Sequence, residues 1–140
     1  MAGVFFAFST FVMAGLGSVQ PARGIAAMQG INQQAPTAWF MTALFGTALL
    51  CTILGVRSGL HLGEAGAVYR VAGCAMYLVA IVLTIVYHVP RNGALAALDP
   101  ASAEAATYWQ YYLTNWTAWN HLRTIASFGA AILLTLGLNK

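Results

Sequence analysis

The chain has 140 residues, of which 60% are hydrophobic and only 6% are charged. Its mean hydropathy is +0.73, whereas about a quarter of the residues are charged in soluble globular domains, so the composition indicates an integral membrane protein. The net charge of +3 comes from six basic and three acidic residues and gives no support to nucleic-acid binding. CxxC, HExxH, GxGxxG and P-loop motifs are absent, which excludes the common zinc, dinucleotide and nucleotide sites.

The first apolar segment, Met1 to Leu16, contains GVFFAFSTFVMAGL and has no basic residue before it. A secretory signal peptide needs a basic start, so we predict a transmembrane helix instead. The segment is short for a span of about 20 residues, and one or two further turns are expected before it. Ser9 and Thr10 are expected to bond back to helix carbonyls and to have no other role.

A short amphipathic helix is predicted from Pro21 to Gln34. Pro21 suits the first position of a helix, and Ile25, Met28 and Ile31 recur at helical spacing. Such a helix is typical of the membrane interface. We interpret it as a connector, and the functional alternative is a lid over a lipid-accessible cavity.

Two further spans are predicted at residues 36–56 and 67–87. The first of them is uncharged and begins with Trp39, a suitable interfacial anchor. The other is expected to stop at Val89, because Pro90 disfavours helix in the residue before it.

The loop between these spans, residues 57–66, is short and rich in glycine. His61 and Glu64 lie three residues apart within it, a spacing that can hold a metal. A solvated turn is the preferred interpretation.

A fourth helix is predicted to begin after Asp99 or Ser102, either of which can cap it, and Glu104 favours its first turn. If it continues unbroken to Leu138, it has about 36 residues and is about 54 Å long. That exceeds a bilayer core of about 30 Å. The first half of the helix is therefore expected to project past the hydrocarbon or to break near Trp116.

These elements together predict an all-α fold: a four-helix transmembrane bundle with a short interfacial helix after the first span and an extended fourth helix. Residues 1–140 form one integral membrane domain, with spans at about 1–17, 36–56, 67–87 and 119–138. If Arg123 is discounted as a site residue, Arg57, Arg70 and Lys140 on one side of the membrane slightly outnumber Arg23 and Arg91 on the other. This excess places both termini in the cytoplasm. The expected location is the bacterial inner (plasma) membrane.

The densest polar and aromatic chemistry lies in WTAWNHLRT, residues 116–124. Asn, His and Arg are unfavourable in hydrocarbon, so their place at the start of an apolar span favours a functional site. At about 100° per residue, Trp116, Asn120 and Arg123 share one helix face, whereas His121 lies on another. The alternative is an interfacial belt, in which the tryptophans lie among head groups and Arg123 and His121 extend towards water.

A second set of candidate residues lies at the end of the third span, on the face of the bilayer where residues 116–123 enter it. It consists of His88, Pro90 and Asn92. Two His, two Asn, two Arg and two Trp can therefore converge at one membrane surface. In the alternative interpretation, His88 and Arg91 are ordinary interface residues.

Four motifs are distributed along nearly the whole chain: GVFFAFSTFVMAGL, GIAAMQGIN, HVPRNGALAALDP and WxxYLTNWTAWNHLRT. With them the chain resembles the small four-helix membrane family that contains the anthrone oxygenases of aromatic polyketide pathways. The resemblance implies an oxygenase that converts an anthrone methylene to a quinone carbonyl with dioxygen, without metal or flavin. Many members have Asn where this chain has His88, and Asp where it has Gly93. The matching positions are Asn32, Pro90, Asn92, Trp116, Trp119, Asn120, His121, Arg123 and Thr124.

A cofactor-free oxygenase needs a substrate whose carbanion or enolate passes an electron to dioxygen. His121 or His88, with an ordinary pKa of about 6.5, is the expected base. Arg123 with Asn120 or Asn92 is expected to stabilise the developing enolate oxygen, as an oxyanion hole does.

The expected partners are the lipid bilayer, dioxygen and a flat hydrophobic aromatic molecule dissolved in the membrane. No cofactor is expected, and the alternative is a metal or haem held by His88 and His121. The expected substrate-binding residues are Trp116, Trp119, Tyr112 and Asn32.

A second hypothesis belongs to another class: a non-catalytic accessory subunit of a larger membrane complex. The 14 glycines and the short loops suit close helix packing. Residues 116–123 would then form an assembly surface, or a lipid or quinone contact, and the partners would be membrane proteins or further copies of the chain. A stoichiometric partner on purification favours this hypothesis, whereas activity of the isolated protein favours the oxygenase.

Overall fold

Five helices and no strands make up the computed structural model, which describes residues 1–140. Three of them are long and apolar enough to cross a membrane, and the N-terminal helix is apolar but shorter. This pattern is typical of an integral membrane protein and confirms the all-α prediction. The helices are α1 (Ala2–Gly17), α2 (Pro21–Gln34), α3 (Ala38–Leu60), α4 (Ala67–Ala96) and α5 (Ala103–Leu138).

Helix α2 has the predicted bounds and starts with Pro21 in its first turn. Its apolar side is buried, and Ile25 and Met28 are both 0% exposed. A side chain at Gly24 would collide with a carbonyl of α1 and with the ring of Trp109 on α5. Glycine therefore lets α2 pack closely between α1 and α5.

Helix α3 extends further than the predicted second span. The Thr37 side chain caps it by accepting a hydrogen bond from the backbone N–H of Phe40 at 3.2 Å. The helix continues through Arg57 to Leu60, so the loop that follows is reduced to residues 61–66.

The short loop between α3 and α4 has the properties of a turn. His61 Nδ1 lies 2.9 Å from the carbonyl oxygen of Arg57. Glu64 instead forms a 3.3 Å ion pair with Arg70. Because the two side chains have different partners, the geometry supports the solvated turn.

The prediction that the third apolar helix stops at Val89 is wrong, because α4 continues to Ala96. In a regular helix, proline lacks one N–H donor and its ring clashes with the carbonyl four residues earlier. Here a wider π-helical turn, Thr84–His88, comes just before Pro90. Pro90 then lies in the first turn of the next α-helical stretch, where its missing N–H is not needed.

Helix α5 is an unbroken helix of 36 residues. Of the two predicted caps, Ser102 caps it, because its Oγ accepts a hydrogen bond from the N–H of Ala105 at 3.0 Å. Asp99 instead stabilises the preceding turn, where its Oδ1 accepts from the N–H of Ala101 at 3.0 Å. At about 1.5 Å per residue the helix is about 54 Å long, and α1, α2 and α4 all pack against it.

One end of the bundle is held together by Arg70. Its Nε donates to Ser58 Oγ at 3.1 Å, and its Nη1 donates to the carbonyl oxygens of Ala65 and Gly137, each at 3.0 Å. Its Nη2 pairs with Glu64 at 3.3 Å. One side chain therefore joins α3, the following turn, α4 and the end of α5.

Two buried apolar clusters form the core. One contains Phe5, Leu44 and Tyr77 and lies among α1, α3, α4 and α5. The other contains Met28 and Trp116 and lies beneath α2. The candidate site lies between them, because its walls include residues of both clusters.

Candidate functional site

Arg123 is the most unusual side chain of the core. It is only 5% exposed and lies on α5. Its Nε and Nη2 donate to Asn120 Oδ1 at 3.2 and 2.6 Å, and its Nη1 donates to Thr84 Oγ1 at 3.2 Å. The guanidinium carbon lies 4.4 Å from the centre of the Phe5 ring and 5.2 Å from that of Trp116.

No carboxylate compensates the charge of this guanidinium. The chain has three acidic residues, and the one ion pair in the structure joins Glu64 to Arg70. A guanidinium carries five N–H donors, and three of them bind neutral oxygens. Two of the five N–H donors of Arg123 therefore make no hydrogen bond within the protein.

Asn120 fixes the position of the Arg123 guanidinium. It is 0% exposed, and its Nδ2 donates to the carbonyl oxygen of Phe5 at 2.7 Å and to Ser9 Oγ at 2.8 Å. Its Oδ1 accepts from Arg123. The carboxamide thus uses both of its ends within the protein and fixes α1 to α5.

His88 presents an unused nitrogen beside this cation. The residue is 1% exposed, and its Nδ1 lies 3.0 Å from the carbonyl oxygen of Leu83. Because a carbonyl only accepts, Nδ1 carries the proton, and in the neutral ring Nε2 keeps its lone pair. Nε2 has no hydrogen-bond partner in the protein. The Trp116 ring lies edge-on to the imidazole, with 4.9 Å between centres.

Asn92 organises the other polar side of the site. Its Oδ1 accepts from Tyr112 Oη at 2.6 Å and from Trp116 Nε1 at 2.8 Å. An indole N–H only donates, so the carboxamide orientation is fixed. Its Nδ2 donates to Asn32 Oδ1 at 3.0 Å. This network connects α2, α4 and α5 and holds the Trp116 ring in position.

These groups surround a cavity of about 270 Å³. The walls are mostly apolar, whereas the polar groups come from α2, α4 and α5. A small number of placed polar groups in an apolar cavity is the usual composition of a ligand site. The polar lining residues are Asn32, Thr84, His88, Asn92 and Arg123, and the larger apolar ones are Val4, Phe5, Phe8, Met28, Ile31, Phe40, Met41, Leu44, Val89 and Trp116.

Residues 2–133 match the model of the anthrone oxygenase family. The chain belongs to the anthrone oxygenase family. No curated protein and no solved structure matches it. The match confirms the family that the sequence motifs indicated, and membership suggests oxygenase activity.

In this member of the anthrone oxygenase family, five of the nine residues proposed from sequence line the cavity: Asn32, His88, Asn92, Trp116 and Arg123. Asn120 and Tyr112 are buried behind the wall, at 0% and 1% exposure. Trp119 and His121 lie on the outside of the helix. Trp119 packs on the ring of Tyr87, with 4.8 Å between centres.

The two histidines proposed as an alternative metal or haem site, His88 and His121, have different surroundings in the structure. His88 is buried, whereas His121 is exposed on the outer face of α5. No group of three or more His, Cys, Asp or Glu side chains lies close enough together to hold a metal ion.

The role predicted for Ser9 is wrong. Its Oγ does not bond back along α1 but lies 3.0 Å from Thr124 Oγ1 and accepts from Asn120. Thr10 behaves as predicted and donates to the carbonyl oxygen of Phe6 at 2.8 Å. The sequence feature that indicates an inward-facing Ser9 is its spacing: it lies four residues after Phe5 and therefore on the same helix face. In the structure Phe5 is buried.

Thr84 was missed altogether. It accepts from Arg123 Nη1 at 3.2 Å and donates to the carbonyl oxygen of Ala80 at 2.8 Å. Its spacing from the buried Ile81 and His88 places it on the inner face of α4. An isolated threonine in an apolar helix is common, so nothing in the sequence distinguished its partner.

Proposed function

We propose that the protein is a membrane-embedded, cofactor-independent oxygenase of anthrone-like polycyclic aromatic substrates. Family membership supports the class of reaction. The observation that carries the proposal is Arg123, buried without a carboxylate partner in the wall of an apolar cavity that also contains His88. A buried, unpaired charge is strongly unfavourable, and an ionised substrate supplies the missing negative charge.

We propose one integral membrane domain of four spans, at about residues 1–17, 36–56, 67–87 and 119–138, with α2 at the interface. The lengths of α4 and α5 support this arrangement. They contain 30 and 36 residues, or about 45 and 54 Å, and both exceed the hydrocarbon thickness of about 30 Å. Both termini then lie in the cytoplasm, and the site lies towards the other face.

The proposed reaction balances without a further reductant. The anthrone methylene loses two hydrogens and gains one oxygen atom from dioxygen, and the second oxygen atom leaves with those hydrogens as water. Removal of the first proton leaves an anion whose charge lies largely on the ring carbonyl oxygen. That anion gives one electron to dioxygen, and the resulting radical and superoxide combine at the former methylene carbon. The peroxide anion that results takes back the first proton and becomes a hydroperoxide. Loss of the second C–H proton with cleavage of the O–O bond then forms the carbonyl and releases hydroxide, which takes up that proton and leaves as water.

His88 and Arg123 divide the work in this proposal. The free Nε2 of His88 is suited to accept the methylene proton, because its lone pair has no competing partner in the protein. Arg123 stabilises the oxygen on which the negative charge develops, and its orientation is set in advance by Asn120 and Thr84. Asn120 acts as a positioning residue, because it reaches the substrate only through Arg123.

The cavity suits a small flat aromatic molecule. Its volume of about 270 Å³ lies just below the range for pockets that hold drug-sized ligands, about 300–1,000 Å³. Phe5, Phe8 and Trp116 supply aromatic walls, and aromatic rings pack well against other rings in stacked or edge-on geometry.

Oxygen uptake by the purified protein tests the proposal. The protein, in lipid nanodiscs and treated with a chelator, is mixed with an anthrone while dissolved oxygen and quinone absorbance are recorded together. Oxygen uptake above the protein-free rate, with one quinone formed per dioxygen consumed, supports the oxygenase. Uptake equal to the protein-free rate contradicts it, and recovery of activity only with a co-purifying membrane protein favours the accessory subunit.

A further inference from the structure

The four longest helices form an incomplete ring. Helix α1 packs on α5, α5 packs on α4, and α4 packs on α3. The ring does not close, because no Cα atom of α1 comes within 8 Å of a Cα atom of α3. One side of the bundle is therefore a cleft between two helices that do not pack together.

The cavity lies at the base of this cleft. Val4, Phe5 and Phe8 of α1 line one side of it, and Phe40, Met41 and Leu44 of α3 line the other. Phe5 and Leu44 belong to one buried cluster, so side chains close the deep part of the cleft. Val4 is 41% exposed and Phe40 and Met41 are half-buried, so these three residues form its rim.

The rim is apolar, and the charge lies deeper. Arg123 is the one charged residue among those that line the cavity, and it projects from α5 on the far wall. The outer faces of α1 and α3 expose large apolar side chains, including Phe11 and Phe45. Such faces favour hydrocarbon over water, so a molecule at the rim comes from the bilayer.

Helix α3 is also the least constrained of the long helices. Only 17% of its most apolar stretch is buried, against 33% for α4 and α5. Its C-terminal half is fixed to α4 by Ser58 and by the close approach of Gly55 to Cys74. The rim residues Phe40 and Met41 lie at its N-terminal end, where the last cross-helix hydrogen bond joins the Leu44 carbonyl to Tyr77.

From this geometry we propose that substrate enters the site sideways from the bilayer, through the cleft between α1 and α3, and that Val4, Phe40 and Met41 set the width of molecule that is admitted. The inference rests on the proposed function. It defines the substrate class further: flat, uncharged polycyclic molecules that dissolve in the membrane and ionise only after they reach His88 and Arg123. The bilayer serves as the reservoir of substrate.

A reversible bridge across the cleft tests this route. The double variant Val4→Cys/Met41→Cys is treated with a bifunctional methanethiosulfonate that carries a spacer, because the helix backbones are too far apart for a direct disulfide, which needs Cα atoms about 4.4–6.8 Å apart. Oxygen uptake with an anthrone is measured before bridging, after bridging, and after reduction. We expect uptake to fall to the protein-free rate on bridging and to return on reduction.

The matched control is Leu50→Cys/Ile53→Cys, which places both cysteines on the outer face of α3, one helical turn apart. The same reagent should leave its uptake unchanged. If the bridged cleft variant keeps its activity, the lateral route is wrong, although the oxygenase proposal stands. If the untreated double variant and the wild type are both inactive, the oxygenase proposal itself fails.

A second variant keeps the inference testable if the double variant does not fold. Met41→Trp narrows the rim and leaves Arg123 and His88 unsubstituted. For this variant and the wild type, kcat/KM is measured with a tricyclic and a tetracyclic anthrone. The expected result is a greater loss for the wider substrate. An equal change for both substrates would overturn the assignment of the rim as the entrance.

Discussion

Two arginines that join helices, the partly exposed Arg70 and the buried Arg123, are held in different ways. Arg70 is 14% exposed and is paired with Glu64, and its other donors bind a hydroxyl and two carbonyl oxygens. Arg123 is 5% exposed and binds only the neutral oxygens of Asn120 and Thr84. Both side chains join helices, but only Arg123 borders a cavity.

In the proposed function, this difference separates a structural ion pair at Arg70 from a substrate-binding cation at Arg123. A charge whose partners are all supplied by the protein, such as Arg70, needs nothing from outside. A charge in an apolar cavity with neutral partners is favourable only when a ligand brings the opposite charge. The two sites therefore predict opposite consequences of substitution: loss of activity at Arg123 and loss of stability at Arg70.

The largest effect is expected for Arg123→Met, which keeps the length of the side chain but removes its charge. Loss of the group that stabilises a developing oxyanion lowers kcat/KM by about 10²–10³-fold. Oxygen uptake with an anthrone measures it. Arg123→Lys is the matched variant. Its kcat/KM should lie between those of the wild type and the Met variant, because lysine keeps the charge but cannot bind both Asn120 and Thr84. A Met variant as active as the Lys variant would contradict the role of the charge.

His88→Gln should reduce kcat by about 10²-fold or more, since a positioned base contributes about 10²–10⁴-fold. Glutamine keeps a polar group near the Leu83 carbonyl but cannot accept the methylene proton. His121→Gln is the control on the exposed face of α5 and should retain activity. Equal losses in the two variants would show that neither histidine acts as the base, or that both act indirectly.

Arg70→Ala should affect folding and leave the chemistry intact. The substitution leaves the Gly137 carbonyl and Ser58 without their charged partner, which destabilises the protein by about 1–3 kcal/mol. Thermal unfolding in detergent, followed by circular dichroism, should show a lower Tm. The kcat/KM per folded molecule should equal that of the wild type. A loss of activity at unchanged Tm would contradict the assignment of Arg70 to stability rather than to activity.

The smallest expected effect belongs to Ser9→Ala. Ser9 reaches Arg123 only through Asn120. Of its two hydrogen bonds, the one from Asn120 bears on the site, and its loss, about 0.5–1.5 kcal/mol, corresponds to roughly a 2–10-fold decrease in kcat/KM. Thr10→Ala, whose hydroxyl bonds only to its own helix, should show no decrease. Identical kcat/KM values in the two variants would show that Ser9 does not help to position Arg123.

Helical periodicity predicted the core of the site. The four-residue spacing of Trp116 and Asn120 and the three-residue step to Arg123 placed these residues on one face of α5, and all three are buried there. The same rule placed His121 on another face of the helix, and in the structure this residue is exposed. The capping rules also identified Pro21 and Ser102 at the starts of α2 and α5, because caps depend on local chemistry.

Irregular and long-range features were not predictable in the same way. The π-helical turn at Thr84–His88 allows α4 to pass Pro90, and no local rule gives its position. The partners of Ser9 lie more than a hundred residues away along the chain. The cavity itself arises because α1 and α3 fail to pack together, and that depends on the whole arrangement of helices.

The direct measurement is the affinity of a polycyclic phenol and of its methyl ether, determined by tryptophan fluorescence at a pH where the phenol ionises. For the wild type, the ionised phenol should bind more tightly than the ether, because only the phenolate neutralises Arg123. In Arg123→Met this preference should disappear. A wild type that binds both molecules equally, or a Met variant that keeps the preference, would show that the buried guanidinium does not bind an anionic substrate.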